Sequence, residues 1–274
     1  MRSKRLLELP AHGRLLVATD LQGNLGDFER LLVHLYDAGP DAWLVLTGDL
    51  VHGPDDDTVS SWPDHLGTPY EDESPRLVER FLEAQREFGG RVVCLLGNHD
   101  HSHIGGPATA KFHDDERLAL ESRLDDAAKA RLREAIATFP LVARAPCGAV
   151  MLHAAPSAAL ESPAQLEELK LDGYEDWHFS EFIRVPVLGP LLWSRMAKPH
   201  ESKRFLDALG GTVALYGHDI VREGYSREGD DQLCFSTSFG LFDHDKVFVD
   251  LDLGKRYRDV HALREGREIR KLWA

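Results

Sequence analysis

Residues 91–100 read RVVCLLGNHD, a short apolar run that ends in glycine, asparagine, histidine and aspartate. A run of about four to eight apolar residues bounded by turn formers is typical of a buried strand. The preceding apolar run, within WLVLTGDLVHG at 43–53, ends in the same way with Gly48 and Asp49. Polar side chains therefore follow two predicted strands directly.

Three more apolar runs end in polar residues. The run at 14–19 is followed by Asp20-Leu21-Gln22-Gly23-Asn24, and two later runs are AVMLH at 149–153 and TVALY at 212–216. Helical periodicity at 25–38 and 75–88 separates the first three runs. Strands that alternate with helices predict a parallel sheet with helices on its faces.

The second half of the chain changes character. We predict helices at 114–138, near 162–170 and near 201–209, followed by strand-like runs at 219–226, 232–237, 245–253 and 256–263. These late runs predict an antiparallel contribution to a second sheet. No linker divides the sequence, so we predict one domain over 1–274, with a core at about 14–253 and an acidic loop insertion at 53–75.

Charge and cysteine content limit the possible partners. The 274 residues carry 46 Asp and Glu against 32 Lys and Arg, a net charge of −14. Passive binding to nucleic acid or to anionic lipid requires a basic face, so neither nucleic acid nor membrane is expected as a partner. Cys94, Cys147 and Cys234 form no CxxC motif and lie in or beside apolar runs, which predicts reduced, buried thiols. Since the sequence also shows no signal peptide and no apolar stretch of spanning length, we expect a cytoplasmic protein.

The polar residues at the strand ends form a possible metal site. Ligands bind at the carboxyl ends of strands in open α/β sheets, and these strands would deliver oxygen and nitrogen donors to one rim. Such a mixed set suits Mn, Fe or Zn better than Ca. Each residue alone has an ordinary explanation, such as a helix cap or a core histidine, but the ordered set is very improbable by chance. The candidate ligands are Asp20, Gln22, Asp49, Asn98, His153 and His218.

This order of motifs resembles the calcineurin-like metallophosphoesterase superfamily over about residues 14–253. Within it, the sequence is most similar to the serine/threonine phosphoprotein phosphatase branch. Residues 191–194 read LLWS, like that branch, and residues 153–157 (HAAPS) resemble its His-Gly-Gly-x-Ser turn. His218 followed by Gly224 and Tyr225 resembles its metal-binding histidine and the Gly-Tyr that follows it.

The resemblance implies two divalent ions, with Mn favoured and Fe, Zn or Mg as alternatives. Asp20 and Gln22 would hold the first ion and Asp49 would bridge both. The second would be held by Asn98, His153 and His218. A hydroxide between the ions would attack phosphorus in line, so that Asp49 and His99 would be the catalytic residues. His99 would protonate the leaving oxygen, although the alternative is that it only braces the metal ligands.

Three departures from the family pattern stand out. Gln22 replaces the usual histidine; a glutamine here also resembles the Mn-dependent ADP-ribose/CDP-alcohol pyrophosphatases, but their Gly-His-x-His motif ends here in Ile220. The phosphatase motif Gly-Asp-x-x-Asp-Arg-Gly is replaced by GDLVHGP at 48–54, which lacks the aspartate that orients the acid and the arginine that binds phosphate. We expect His52 to brace the acid and Arg195 to bind phosphate. Alternatives for the phosphate-binding residue are Arg184 and Arg222.

Other features are interpreted as structural. His101 and His103 alternate with His99, but only His99 matches the family motif, so we expect the other two in a loop. The acidic segment 53–75 is expected to be either a lid or a solvated insertion. The densely charged helix at 114–134 is expected to present a solvated face.

We therefore predict a four-layer α/β/β/α sandwich of two mixed sheets, with a dimetal site at the rim formed by the strand carboxyl ends. The predicted function is metal-dependent phosphoester hydrolysis, preferentially by a serine/threonine protein phosphatase-like phosphomonoesterase acting on a phosphorylated protein or a small phosphoester. Two alternatives stay open. One is a nucleotide pyrophosphatase or dinucleotide polyphosphate hydrolase, and the other is a weakly active scaffold that binds phosphorylated partners.

Overall fold

The computed structural model describes residues 4–273. Within this range, the strands form one six-stranded and one five-stranded sheet. The strands are β1 (Leu6–Glu8), β2 (Arg14–Ala18), β3 (Trp43–Leu46), β4 (Val92–Cys94), β5 (Val142–Arg144), β6 (Ala149–Leu152), β7 (Val213–Tyr216), β8 (Tyr225–Glu228), β9 (Gln232–Phe235), β10 (Val247–Asp252) and β11 (Ile269–Lys271).

Helices connect most of these strands, together with three short 3-10 helices at Asp64–Leu66, Ser102–Ile104 and Val260–Ala262 in the described part of the chain. The α-helices are α1 (Leu25–Asp37), α2 (Asp56–Ser60), α3 (Ser74–Glu87), α4 (Asn98–His101), α5 (Glu116–Ser122), α6 (Asp126–Ala137), α7 (Ala164–Glu168), α8 (Phe179–Phe182), α9 (Leu188–Trp193) and α10 (Pro199–Leu209).

Both sheets are mixed, as predicted. The smaller sheet has the order β11-β10-β2-β3-β4, with β2, β3 and β4 parallel and β10 antiparallel to β2. The larger has the order β1-β5-β6-β7-β9-β8, in which β6, β7 and β9 are parallel and β8 is antiparallel to β9. Because the parallel strands of each sheet end together, their polar termini can meet at one rim.

Strand alternation produces the four layers. Leu15 and Val17 of β2 pack in one apolar cluster with Met151 from the other sheet, so this cluster lies between the sheets. Their neighbour Leu16 belongs to a second cluster with Phe28 of α1, on the opposite face of β2. Since successive side chains of a strand point to opposite faces, each sheet has one face toward its partner sheet and one toward helices. This arrangement confirms the predicted fold class.

Helix α1 shows how the sequence defines a boundary next to the rim. The side chain of Asn24 accepts a hydrogen bond from the backbone N–H of Asp27 at 3.0 Å and so caps the helix. The buried residues of α1 include Phe28, Leu31 and Leu35, which follow the helical period. The loop between β2 and α1 is thereby fixed at its helix end.

The predictions for the end of the chain were partly wrong. The strand predicted at 219–226 begins only at Tyr225, because residues 219–224 form a turn in which Val221 N–H donates to Ser236 Oγ at 2.9 Å. The strand predicted at 256–263 is replaced by a 3-10 helix, and the final strand is β11. The helix predicted at 114–138 divides into α5 and α6, because Asp125 accepts from Ala128 N–H and caps a new helix.

Two short strands, β1 and β5, escaped prediction because runs of three residues carry too little periodicity. The three cysteines are free and buried, as expected. Across residues 4–273, the structure has no helix with both the length and the apolar character needed to cross a bilayer.

Candidate metal centre

The loops at the rim adopt an unusual backbone conformation. Asp20, Gln22, Asp49 and His218 have φ angles of 44°, 41°, 54° and 68°, in the left-handed region that non-glycine residues rarely occupy. His52 in the loop after β3 shares this conformation at 74°. Each such residue costs about 1–3 kcal/mol, so the surrounding structure must hold it in place. The cost is concentrated where polar side chains converge.

Asp100, the last residue of the Gly-Asn-His-Asp motif, holds two of these loops together. Its buried carboxylate accepts hydrogen bonds from the backbone N–H groups of Asp49 at 2.8 Å, Leu50 at 3.0 Å and Gly97 at 3.1 Å. A Cβ atom at Gly97 would lie 2.2 Å from Asp49 Oδ1, so only glycine fits there. Burial and the neighbouring Asp49 raise the pKa of Asp100 to about 7. The motif thus positions Asp49 through the backbone.

Four of the candidate ligands converge around one point. His153 Nε2 lies 2.8 Å from Asn98 Oδ1, 3.1 Å from His218 Nδ1 and 3.6 Å from Asp49 Oδ1. His153 Nδ1 lies 3.2 Å from the carbonyl oxygen of Thr47. A proton on Nδ1 directed at this carbonyl leaves a lone pair on Nε2, as second-shell hydrogen bonds do for metal-bound histidines.

The same atoms fit a divalent cation. The Nε2 lone pair of His153 faces an amide oxygen, a carboxylate oxygen and a second imidazole, a convergence of donors that only a cation or a proton reconciles. Asp49, His153 and His218 have ligand atoms close enough together to hold one ion. The Nε2 atom of His218 is buried and has no hydrogen-bond partner among the described residues, so no partner there competes for this imidazole.

The remaining two candidate ligands border this group. Asp20 accepts from the backbone N–H of His218 at 3.1 Å, and Gln22 Nε2 lies 3.4 Å from Asp49 Oδ2. Burial and the charge of Asp49 raise the pKa of Asp20 to about 6. Burial also opposes ionisation of Asp49, but His153, His99 and His218 outweigh it and hold its pKa at about 2. The structure therefore brings all six candidates to one rim. His153 and Lys111 lower the pKa of Asp20 too little to offset its burial, whereas the three histidines around Asp49 do offset it.

His99 lies beside this group with a carboxylate behind it. Its Nε2 is 4.0 Å from Asp49 Oδ2, and its backbone N–H donates to Asp49 Oδ1 at 3.1 Å. On the other side of the ring, Nδ1 is 3.1 Å from Glu116 Oε2 and 3.2 Å from His52 Nδ1. Burial lowers the pKa of His99, but Asp49 and Glu116 raise it further, so the net shift is upward.

Glu116 is one of two site residues that sequence reasoning missed. The helix that carries it was expected to present a solvated face, yet Glu116 and Glu121 of α5 are both buried. The expected brace, His52, does reach His99, and a carboxylate, that of Glu116, reaches it from a segment 17 residues farther along the chain than His99. No local pattern distinguished Glu116 from the many exposed charges around it.

Lys111 is a second residue that the sequence did not reveal. Its Nζ donates to Gln22 Oε1 at 2.8 Å and lies 3.8 Å from the centroid of the Phe239 ring. Because an ammonium group only donates, the amide oxygen of Gln22 faces Lys111 and its NH₂ group faces Asp49. A cationic side chain thus stands at the rim, beside the candidate ligand Gln22.

A cavity of about 220 Å³ opens onto these groups. Arg195 lines it together with Lys111, but its guanidinium also pairs with Asp219, and 62% of its side chain is exposed. Of the alternative arginines, Arg184 is exposed elsewhere, and Arg222 Nη1 donates to the carbonyl oxygen of His65 at 2.7 Å. Arg195 is therefore the one predicted arginine that lines the cavity. The full lining is Gln22, Asp49, Asn98, His99, Thr109, Ala110, Lys111, Trp193, Arg195 and His218.

The acidic segment 53–75 is folded against the rim. It contains α2 and a 3-10 helix, and the Tyr70 hydroxyl donates to the carbonyl oxygen of Gln22 at 3.0 Å. Trp62 packs edge-on against Tyr70, with ring centroids 5.7 Å apart. Asp72 forms an ion pair with Arg123. The segment is therefore neither a purely solvated insertion nor detached from the site.

His101 and His103 are not loop residues. His101 ends α4, and His103 lies in the 3-10 helix Ser102–Ile104; both are buried. Burial lowers the pKa of His101 to about 4, and its Nε2 lies 2.7 Å from the carbonyl oxygen of Leu171. His103 Nε2 lies 2.8 Å from His52 Nε2. The helical backbone, rather than a strand, carries these alternating histidines.

Comparison with known proteins agrees with this fold. A serine/threonine phosphatase from Saccharomyces cerevisiae superposes with a TM-score of 0.60 at 13% identity, covering 86% of this chain and 72% of its own. A cold-active protein-tyrosine phosphatase from a psychrophilic Shewanella species superposes with a TM-score of 0.54 at 13% identity, covering 92% and 79%. At this identity the likeness concerns the fold alone. No curated protein matches the sequence.

The family can be assigned from the sequence itself. The profile of the calcineurin-like phosphoesterase family matches residues 13–222, which include all six candidate ligands, His99 and Glu116. This span covers most of the chain and contains β2, β3, β4, β6 and β7, whose carboxyl ends build the rim. The chain therefore belongs to the calcineurin-like phosphoesterase family and is a phosphoester hydrolase.

Proposed function

We propose that this protein is a metal-dependent phosphomonoesterase, similar in its chemistry to serine/threonine protein phosphatases, that acts on a phosphorylated protein or a small phosphoester. The observation that carries the proposal is the position of His99, with Nε2 beside Asp49 and Nδ1 at 3.1 Å from the carboxylate of Glu116. An imidazole held in this way can protonate a leaving oxygen next to the metal ligands.

In this proposal the metal ligands divide into two sets that share Asp49. Asn98, His153 and His218 would hold one ion. Asp20 and Gln22 would hold the other, which requires the Gln22 amide oxygen to turn from Lys111 toward Asp49. Two divalent ions would neutralise charge on the phosphoryl oxygens and acidify a water molecule. The raised pKa of Asp20 supports a cation there, because a nearby positive charge would restore its ionised form. The mixed oxygen and nitrogen donors favour Mn, with Fe, Zn or Mg as alternatives.

The side chains then act on substrate and leaving group. Lys111 and Arg195 contact the phosphoryl oxygens from the cavity wall, replacing the arginine that is absent from 48–54. As the water oxygen bonds to phosphorus and the ester P–O bond breaks, His99 Nε2 gives its proton to the departing oxygen. Glu116 stabilises the doubly protonated ring beforehand and orients it. The cavity of about 220 Å³ suits a phosphoryl group with its leaving group extending outward.

A second candidate is a nucleotide pyrophosphatase or dinucleotide polyphosphate hydrolase. It is favoured by Gln22 and by a neighbouring cavity of about 480 Å³, which shares Arg195 with the first cavity and is lined by Tyr216 and Met196. This second cavity offers room for a nucleoside on the far side of Arg195. The buried reduced cysteines support a reducing, cytoplasmic setting for either activity.

The deciding experiment is a substrate panel with added Mn²⁺, Zn²⁺ or Mg²⁺. We expect hydrolysis of p-nitrophenyl phosphate, phenyl phosphate and phosphoserine peptides, with weaker turnover of ADP-ribose and diadenosine polyphosphates. Preference for the dinucleotides by kcat/KM would replace the first proposal with the second. Loss of bound metal on purification, no turnover of any substrate and retained binding of a phosphopeptide would instead indicate a scaffold.

A further inference from the structure

Behind His99, a row of buried side chains reaches the protein surface. His52 Nδ1 lies 3.2 Å from His99 Nδ1, and His52 Nε2 lies 2.8 Å from His103 Nε2. His103 Nδ1 lies 2.9 Å from Glu121 Oε1. Glu121 in turn accepts from Arg133 of α6, whose side chain is 54% exposed. The three rings and Glu121 are each at most 6% exposed.

The chemistry of each member determines where the protons lie. Glu121 is ionised, because its hydrogen bond from His103 and its pair with Arg133 hold its pKa at about 2. A carboxylate only accepts, so His103 carries its proton on Nδ1. Burial lowers the pKa of His103 and of His52, which favours neutral rings with one proton each. His103 Nε2 is then an acceptor, and His52 must donate to it from Nε2.

The proton on His99 Nδ1 is fixed by the groups that face this nitrogen. With its proton on Nε2, His52 presents a lone pair at Nδ1, and Thr109 Oγ1 also lies within 3.4 Å of this nitrogen as a possible donor. His99 Nδ1 faces this lone pair as well as the carboxylate of Glu116, so it carries a proton. The nitrogen left to exchange a proton with substrate is Nε2, which points toward Asp49.

We propose that Glu121 is a positioning residue that acts through His103 to fix the tautomer of His52, so that His52 Nδ1 accepts a hydrogen bond from His99 Nδ1 and orients the His99 ring. The direction of the whole hydrogen-bond row is set at its far end, where a carboxylate can only accept. This inference rests on the proposed role of His99 as the acid, but the tautomers themselves can be observed without any hydrolysis.

Removal of the Glu121 carboxylate should reverse the direction of the hydrogen bonds between His103, His52 and His99. In Glu121→Met, a proton on His103 Nδ1 would be buried without an acceptor, an arrangement that costs free energy. The proton then moves to Nε2, and His52 is forced to carry its own on Nδ1. That hydrogen points at His99 Nδ1, so the hydrogen bond by which His52 orients the His99 ring is lost. Esters with poor leaving groups should suffer most, because they depend on protonation.

The test combines nitrogen NMR with leaving-group kinetics. Ring nitrogens with and without a proton resonate far apart, so ¹⁵N-histidine labelling of the Mg²⁺-loaded protein reports each tautomer. In the wild type we expect protons on Nδ1 of His99 and His103 and on Nε2 of His52. In Glu121→Met the His103 proton should move from Nδ1 to Nε2, and the His52 proton should move from Nε2 to Nδ1. The ratio of kcat/KM for p-nitrophenyl phosphate to that for phenyl phosphate should rise about 10-fold.

Two variants guard against a simple folding defect. Glu121→Gln keeps an acceptor oxygen and should restore the wild-type tautomers and most of the phenyl phosphate activity. Arg133→Gln leaves the carboxylate in place and should change neither readout. A proton on Nδ1 of His52 in the wild type would overturn the proposal, and so would a Glu121→Met variant with unchanged tautomers and an unchanged ratio. Correct tautomers in a protein that hydrolyses no phosphoester would refute the proposed function and leave this inference standing.

Discussion

The carboxylate of Glu116 lies 3.1 Å from Nδ1 of His99, although the two residues belong to different helices, α5 and α4. Both side chains are buried, with 2% and 6% of each residue exposed. An ion pair this deep in the protein stabilises the protonated ring only while both partners are present. The pair therefore gives His99 a carboxylate partner that the loop after β3, which carries His52, does not provide.

Replacement of Glu116 tests whether its carboxylate supports the role of His99 as the acid. In Glu116→Gln the protonated form of His99 loses its buried counterion, so kcat/KM for phenyl phosphate should fall about 10- to 100-fold. The activity on p-nitrophenyl phosphate should fall less, because its leaving group needs little protonation. The control is Glu134→Gln on the exposed face of α6, which should retain wild-type rates. Equal losses on both esters would show that Glu116 only supports the fold.

Lys111 should govern substrate affinity. A charged hydrogen bond to phosphate contributes about 1.5–3 kcal/mol, so Lys111→Met should lower kcat/KM about 10- to 100-fold, mainly through KM. Lys203→Met is a matched control, because Lys203 lies on α10 and pairs with Asp207, away from the cavity. Steady-state kinetics on both esters and the inhibition constant of inorganic phosphate measure the effect. A normal KM and normal phosphate inhibition would exclude Lys111 from the phosphate site.

Gln22 should determine how tightly the first metal ion is held. Its amide oxygen is a weaker donor than imidazole and is shared with Lys111, so Gln22→His should bind that ion more tightly. Activity should rise at limiting metal, with a smaller or opposite change at saturation, since a more weakly held ion stays more polarising. Calorimetric titration with Mn²⁺, paired with rates across metal concentration, measures both effects. Gln165→His on α7 controls for a histidine that merely binds metal at the surface.

If Gln22→His binds Mn²⁺ no more tightly than the wild type, and its activity curve does not move to lower metal, Gln22 is not a ligand of the first ion. The contact between Gln22 and Lys111 would then be its main role.

His101 should make stability depend on pH. Its folded-state pKa is about 4, whereas an unfolded histidine titrates near 6.5, so below that pH the unfolded chain takes up a proton that the folded chain refuses. Stability is therefore intact above about pH 6.5 and falls as the pH drops toward 4, by about 3 kcal/mol at full effect. His101→Gln removes this titration and keeps a donor for the Leu171 carbonyl.

Urea unfolding of both proteins between pH 7 and 4 measures this difference. The advantage of the wild type over His101→Gln should shrink by about 3 kcal/mol across that range. His244→Gln provides the control, since the His244 side chain is 77% exposed. Parallel stability curves for the wild type and His101→Gln would contradict the assignment.

The sequence by itself determined which polar residues would share a rim. Asp49, Asn98 and His153 each follow an apolar run, and the carboxyl ends of parallel strands meet regardless of the segments between them. The period of apolar residues also indicated the larger helices and most strands, because the side chains that a helix or strand buries recur at its characteristic sequence spacing. The fold class and the family followed from those same local patterns.

Only the tertiary structure decided how that rim is completed. Glu116, Lys111 and Glu121 lie between predicted strands, in segments whose charges locally resemble any solvated face. The burial of the two glutamates depends on α5 packing over the histidines of α4 and of the 3-10 helix that follows it, a contact between segments that no periodicity encodes. A charged side chain can be buried only where an oppositely charged or hydrogen-bonding group lies beside it. Which group that is depends on the folded arrangement of the chain.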